Sequence, residues 1–457
     1  MAGRLTRQVD MTEGSLWDKI LLFGIPVAAT AILQQLYTTA DVAVAGRLVG
    51  TNAEAGVGSN VYIISLLVSL FQGISLGANV TIATAIGAGE AEKAHRAVHT
   101  AVVLALVGGV AFAVATQPMV GPLLGVLSVP GEVLADATSY LRIYLLGLPV
   151  IFLYDFEAAI LRSVGDTWTP LKALAVSSAL NLALDLVVAG PLAAGARGLA
   201  TTTVASNAVA VAILLAYLLR TPSDVRIVPR DLRLDPWAAR RILSIGLPAG
   251  IQSALYSVAN IVIQGAINSL GATVMAGSSA SSSIESMSYY VINAFGQAAT
   301  TFVGQNNGAH RQDRCARTLR LCLVEAYALC GTIIALIVIF GRGLVGVFNP
   351  NPAIVAQGYT RVRFVISSQL FSIAIDVFSG YLRGYGYSLW PAVWTFFSIV
   401  VIRLAYVFLL FPQNPTFPFL LAVYPITLGL NAAGLVIMWA LVHRSLARQP
   451  QPRAKGV

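Results

Sequence analysis

The sequence predicts an all-α polytopic membrane protein of twelve transmembrane helices, in two pseudo-symmetric six-helix lobes arranged as a parallel repeat. Three observations carry this. The 457 residues are 57% hydrophobic and only 11% charged, against about 25% charged in soluble domains. Twelve apolar runs can be drawn, each long enough to cross about 30 Å of hydrocarbon. The two halves of the chain also match each other at a near-constant offset.

The stretch before the first run, Met1 to Lys19, is polar. That run is too long for a signal-peptide core and lacks a small-residue cleavage site after it, so no cleavable signal is expected. The first run, 20–44, contains Pro26, which removes a helix hydrogen bond and favours a kink. In it Gln34, Tyr37, Thr38 and Asp41 fall at i, i+3, i+4 and i+7, on one face of a helix. The other face is Ala, Val, Ile and Leu. A lone carboxylate inside a span costs at least ~2.5 kcal/mol and usually faces a cavity or a partner.

Runs 56–82 and 97–118 follow. His95 and His99 lie at the start of the latter at i, i+4, with no third metal ligand evident nearby, and read as a loop-edge pair. Run 134–157 carries Tyr140, Tyr154 and Asp155, with Glu157 placed near the interface. Run 169–189 holds Asn181 and Asp185 at i, i+4, pointing the same way. Run 197–219 begins with Thr201, Thr202 and Thr203.

The longest polar stretch, Arg220 to Arg241, divides the chain into an N-lobe (1–219), a linker (220–241) and a C-lobe (242–457) that ends in a basic tail. Run 242–267 carries Pro248, Gln252, Tyr256 and Asn260. In run 274–300, Ser278, Ser282, Glu285 and Ser288 share a face, followed by Tyr289 and Tyr290. Serines favour close helix packing; the acid is harder to explain that way. Run 320–341 contains Cys322 and Cys330, which with Cys315 fit no metal or disulfide pattern and read as buried thiols. Runs 358–380, 390–412 and 419–442 complete the set, with Asp376 and Arg403 inside the first two.

Basic residues set the orientation. With both ends inside, the inside segments hold 22 of the 29 Lys and Arg residues, including Arg4, Arg7, Arg448, Arg453 and Lys455. The outside loops hold five: Arg47, Arg197, Arg342, Arg361 and Arg363. The positive charge is therefore a topology signal, and no nucleic-acid partner is expected. At an offset of 221, Gly50 pairs with Gly271, and Leu161-Arg162-Ser163-Val164-Gly165 with Leu382-Arg383-Gly384-Tyr385-Gly386. Six helices per repeat is an even number, so both repeats enter from one side around a central cavity.

The acids suggest the chemistry. Low-dielectric surroundings penalise a charged carboxylate, and a second carboxylate beside it penalises it further. Such a pair can take and release a proton, or hold Na⁺ with the oxygens of Asn and Thr. Asp41 and Asp185 are the first candidates, then Asp155. In the second half Asp376 stands 221 residues after Asp155. Tyrosines such as Tyr37, Tyr140, Tyr154, Tyr256 and Tyr289 could line a pocket for flat cations.

Four motifs carry a resemblance. The opening DMTEGSLWDKILLFGIPVAATAILQQLYTTADVAVAGRLVG, AILRSVGDTWTPL at 159–171, VGQNNGAHRQDRCAR at 303–317 and GYLRGYGYSLWP at 380–391 resemble the multidrug and toxic compound extrusion (MATE) transporters, most of all the bacterial DinF-like and MepA-like branches. The resemblance covers essentially the whole chain. It implies a V-shaped cavity and a secondary efflux antiporter, not an enzyme, in the bacterial plasma membrane with both termini cytoplasmic. Such a transporter exports organic cations and other toxic compounds in exchange for H⁺ or Na⁺ by alternating access, needs no cofactor, and is expected to work as a monomer among lipids.

Residue by residue, the coupling cluster maps onto Asp41, Asn181 and Asp185, the same three being the candidate Na⁺ ligands, with Tyr140 and Thr203 supplying hydroxyls. Asp155 stands where many relatives carry Asn. The resemblance also leaves Glu285 and Asp376 as C-lobe coupling candidates, since Gln252 and Asn260 replace an acid on the equivalent helix. The substrate cavity would draw on Gln34, Tyr37, Thr38, Tyr154, Gln252, Tyr256 and Tyr289. A lipid-linked precursor flippase of the same superfamily is the alternative; an enzyme would need a catalytic cluster that the sequence does not offer.

Overall fold

The computed structural model describes residues 9–126 and 129–447. Arg4, Arg7, Arg448, Arg453 and Lys455 of the orientation count lie outside them. The described residues are helical nearly throughout, because backbone N–H and C=O groups in hydrocarbon must be satisfied within the segment.

Six helices come from the first half: α1 (Trp17–Val49), α2 (Thr51–Gly87), α3 (Ala91–Gly125), α4 (Gly131–Leu146 and Leu148–Ser163), α5 (Trp168–Ala189) and α6 (Gly195–Arg220). Six come from the second: α7 (Pro236–Asn268), α8 (Ala272–Gly308), α9 (Gln312–Phe348), α10 (Pro352–Gly384), α11 (Leu389–Gln413) and α12 (Phe417–Ser445). Ten of these are long and apolar enough to cross a membrane, eleven with the bent α4. The remaining one, α8, has 37 residues and is diluted by serine. Most helices outrun their expected spans, since a helix does not stop at the edge of the hydrocarbon.

Local chemistry sets the breaks. Pro26 lies inside α1 and Pro248 inside α7, neither ending its helix. The two limbs of α4 meet at 50° around Gly147, where Pro149 can donate no backbone hydrogen bond. Gly50 and Gly271 have φ of 134° and 98°, and Gly165 and Gly386 have 80° and 88°. These are left-handed conformations that glycine adopts without a Cβ penalty. Each pair is 221 residues apart, so the repeat seen in sequence is a repeat of backbone geometry.

Two compact units emerge. The first runs to Ser257 and includes Thr300–Leu321 and Arg383–Leu389; the second comprises Val258–Ala299, Cys322–Leu382 and the chain from Trp390 onward. The first unit is centred on an apolar cluster that includes Phe71, Phe152, Phe156, Leu141 and Leu214, with the Phe71 and Phe152 rings stacked at 3.5 Å. It also contains close backbone contacts. A Cβ on Gly87 would stand 1.9 Å from the Gln305 carbonyl oxygen, and one on Gly308 2.1 Å from that of Thr84. The segment before α1 is tied down here as well. Arg314 donates to the carbonyls of Met11, Glu13 and Gly14, Arg311 to Thr12, and Asn306 to Met11.

The three cysteines are all buried and free. His99 spans two backbone groups, with Nδ1 2.7 Å from the His95 carbonyl and Nε2 accepting from the Val228 N–H at 2.9 Å. His95 and Asp231 complete a compact trio. Asp231 is thus a third candidate metal ligand that the sequence spacing did not reveal, although both His99 nitrogens already face backbone groups, one of them at Val228.

A buried carboxylate cluster in the first unit

Helices α1, α5 and α6 build the first-half site. Asp41 is buried one helical turn beyond Tyr37, and Asn181 and Asp185 occupy one face of α5, also buried. The Asn181 amide, oriented by its surroundings, donates from one nitrogen to Asp41 Oδ1 at 2.9 Å and Asp185 Oδ2 at 3.2 Å, while its oxygen accepts from the Tyr37 hydroxyl at 3.3 Å. One neutral amide thus bridges two acids from different helices.

The threonine run on α6 divides by helical phase. Thr201 is exposed and bonded to the Arg197 carbonyl. Thr203 donates to Asp41 Oδ2 at 3.1 Å and Thr202 to Asp185 Oδ1. Each of these hydroxyls also lies 2.8 Å from the Leu199 carbonyl. A hydroxyl carries a single hydrogen, so each carboxylate shares its donor with the backbone. Tyr37 reaches Ser206 at 2.8 Å and the Thr203 carbonyl at 3.2 Å. Asn207 backs it at 3.4 Å. Sequence reasoning passed over Ser206 and Asn207; their positions three and four after Thr203 are the signal that could have found them.

Tyr140 borders the cluster: it is buried with Val44 and Leu199 and its hydroxyl interacts with Thr203. The other expected residues fall elsewhere. Tyr154 belongs to the main apolar core of this unit, its hydroxyl 3.4 Å from the Pro170 carbonyl, which suits packing more than a substrate surface. Asp155 is buried, with Oδ2 lacking a hydrogen-bond partner among the described residues. Glu157 is fully buried, because its helix limb is enclosed by α2, α3 and α6. Gln34 and Thr38 are half-buried, the Thr38 hydroxyl bonding back to the Gln34 carbonyl. Gln252 is buried and accepts from Arg383 at 3.2 Å, whereas Tyr256 is half-buried.

The second unit is built around arginine. Arg361, assigned by the orientation count to an outside loop, lies within α10 and is buried. It contacts Glu285 Oε2 at 2.8 and 3.2 Å and Ser278 at 2.8 Å. Arg403 donates to Asn260 and Thr427, and both guanidiniums lie over the Tyr424 ring, at 5.7 and 4.6 Å. Each arginine borders a π-helical turn, Val362–Ile366 in one case and Phe396–Val401 in the other, with Tyr406–Leu410 following. Such turns widen a helix locally and are frequent at functional sites. Asp376 accepts from Asn293 at 3.1 Å. Tyr289 is exposed.

The MatE family matches residues 26–187 and again 248–409. This chain belongs to that family. The double match is the internal repeat, and the buried acids Asp41 and Asp185 fall within its first copy. The chain is similar to the probable multidrug resistance protein YoeA of Bacillus subtilis, 27% identical over 406 residues, covering 87% of this chain and 88% of that one. It is also similar to the probable multidrug resistance protein NorM of Thermotoga maritima, 27% identical over 398 residues, with 86% and 85% covered. A solved structure of MATE in complex with MaL6 shares the fold, with a TM-score of 0.89 at 21% identity, over 97% of this chain and all of that one. The chain is a multi-pass membrane protein of transporter type.

Proposed function

We propose that this protein is a secondary active exporter of small organic and cationic compounds, driven by H⁺ or Na⁺ moving the opposite way through an alternating-access cycle. Asp41, Asn181 and Asp185 carry the coupling ion, with Thr203 and Tyr140 in support. The observation behind this is the single amide shared by two buried acids. If both are ionised, the charges repel in a low dielectric, and the Thr202 and Thr203 hydroxyls are already shared with a backbone carbonyl. One added cation relieves both problems. A proton supplies the missing donor; Na⁺ finds a set of hard oxygen ligands.

The names of the relatives support drug export over a lipid-precursor flippase. The lysine and arginine bias supports a plasma-membrane orientation with both termini inside. The test is ethidium efflux from proteoliposomes, with the proton gradient and the Na⁺ gradient collapsed separately. Loss with one gradient alone identifies the ion; efflux indifferent to both overturns the coupled reading.

A further inference from the structure

Glu157 lies in the second limb of α4, fully buried. Neither of its carboxylate oxygens has a hydrogen-bond partner among the described residues. Its neighbours on the helix face, Leu153, Tyr154, Ile160 and Leu161, stand at i−4, i−3, i+3 and i+4. All four belong to one apolar cluster, which also takes in Ala101 and Val102 of α3 and Leu214 and Leu218 of α6. An ionised carboxylate with neither donor nor counter-charge is among the most costly groups an interior can hold. The repeat sharpens the point. The residue 221 positions later is Phe378, buried on α10. The helix therefore accepts an apolar side chain at this place in its other copy, and packing alone does not call for an acid.

We propose that Glu157 is a proton-binding carboxyl separate from the Asp41–Asp185 pair, loaded in this conformation and discharged when α4 moves against α3 and α6. The proposal rests on the reading that proton movement drives the transporter. The step is an acid dissociation: the carboxyl O–H bond breaks, the proton passes to water admitted by the rearrangement, and the electron pair stays on Glu157.

Several ionisable groups on the surrounding elements are engaged elsewhere. On α3, His99 is held by His95 and Val228, and Arg96 pairs with Asp235. On α6, Tyr217 interacts with Asp166. On α5, Asp185 belongs to the Asn181 bridge. From α2, the Asn79 amide bonds to the Ala159 carbonyl of this limb. On α4 itself Tyr154 reaches Pro170 and also interacts electrostatically with Glu157, while Arg162 interacts with Tyr154 and Asp155. Asp155 lies about 200° around the helix from Glu157, on the far side.

The test is infrared difference spectroscopy of the purified full-length protein in lipid nanodiscs, stepped from acidic to alkaline pH. Wild type should lose a protonated-carboxyl C=O band on the step. Glu157→Gln should lack that band, and Asp41→Asn should keep it. Glu157→Phe, which copies the residue of the other repeat, guards against misfolding and should lack the band too. Identical difference bands in wild type and Glu157→Gln overturn the proposal. In proteoliposomes, fewer protons should move per ethidium in Glu157→Gln than in wild type; an unchanged ratio also overturns it. If wild type shows the band but no proton-driven ethidium movement, the proton-coupled transport reading fails, and with it the role of Glu157 in the cycle.

Discussion

Gly73 and Gly250 bring α2 and α7 together with no side chain between them: a Cβ on Gly73 would stand 2.1 Å from the Gly250 nitrogen. One helical turn on, a Cβ on Gly77 would stand 2.2 Å from the Ile242 carbonyl oxygen. Gly73→Val must push the helices apart, and overpacking of this kind costs about 1–3 kcal/mol. The expected result is a lower melting temperature in detergent. A variant that melts with wild type would mean that these backbones do not meet.

Asn181→Leu removes the donor shared by Asp41 and Asp185. Hydrogen bonds to charged groups contribute about 1.5–3 kcal/mol and favour the ionised carboxylates, so affinity for the coupling ion should change by roughly tenfold to a hundredfold, rising if the ion is H⁺ and falling if it is Na⁺. The ion concentration that half-saturates efflux is the quantity to measure. Asp41→Asn should abolish coupled efflux at normal expression, and drug resistance unchanged from wild type would sink the assignment of this cluster.

Arg361→Met strands Glu285, because the guanidinium donates two hydrogen bonds to its carboxylate. Removing one member of a buried pair costs about 3–5 kcal/mol, whereas replacing both members is often neutral. Glu285 keeps 22% of its side chain exposed, so the lower end of that range applies. Thermal unfolding of Arg361→Met, Glu285→Gln and the double variant forms the test. The double variant should recover most of the loss; if it is no more stable than Arg361→Met, the pair is not the source of the cost.

Arg314→Ala releases three carbonyls of the segment before α1. Hydrogen exchange over residues 9–16 should speed up, while exchange over α5 stays as in wild type. Protection retained over 9–16 would assign the hold to Arg311 and Asn306 instead.

Much of this was legible in the chain. Helix number, the two-fold repeat and the pairing of Asn181 with Asp185 follow from apolar run length and a spacing of four, which are local properties of a helix. Asp41 could be singled out because a charge in a span is costly wherever the helix ends up. Arg361 was counted in a loop although it lies within α10. Where a helix starts relative to its neighbours is set by packing, which no single stretch reveals.

By itself, then, the sequence determined a membrane protein of paired helical repeats with acids in its first half, since hydrophobic length, period and charge cost act within one segment. Only the tertiary structure decided which oxygens meet. It placed one amide between Asp41 and Asp185, turned Thr202 and Thr203 toward them and Thr201 away, gave Glu285 to Arg361, and left the Glu157 carboxyl without a hydrogen-bond partner among the described residues. Those outcomes depend on the rotation and depth of helices that are far apart in the chain, quantities that many weak contacts fix together and no single stretch encodes.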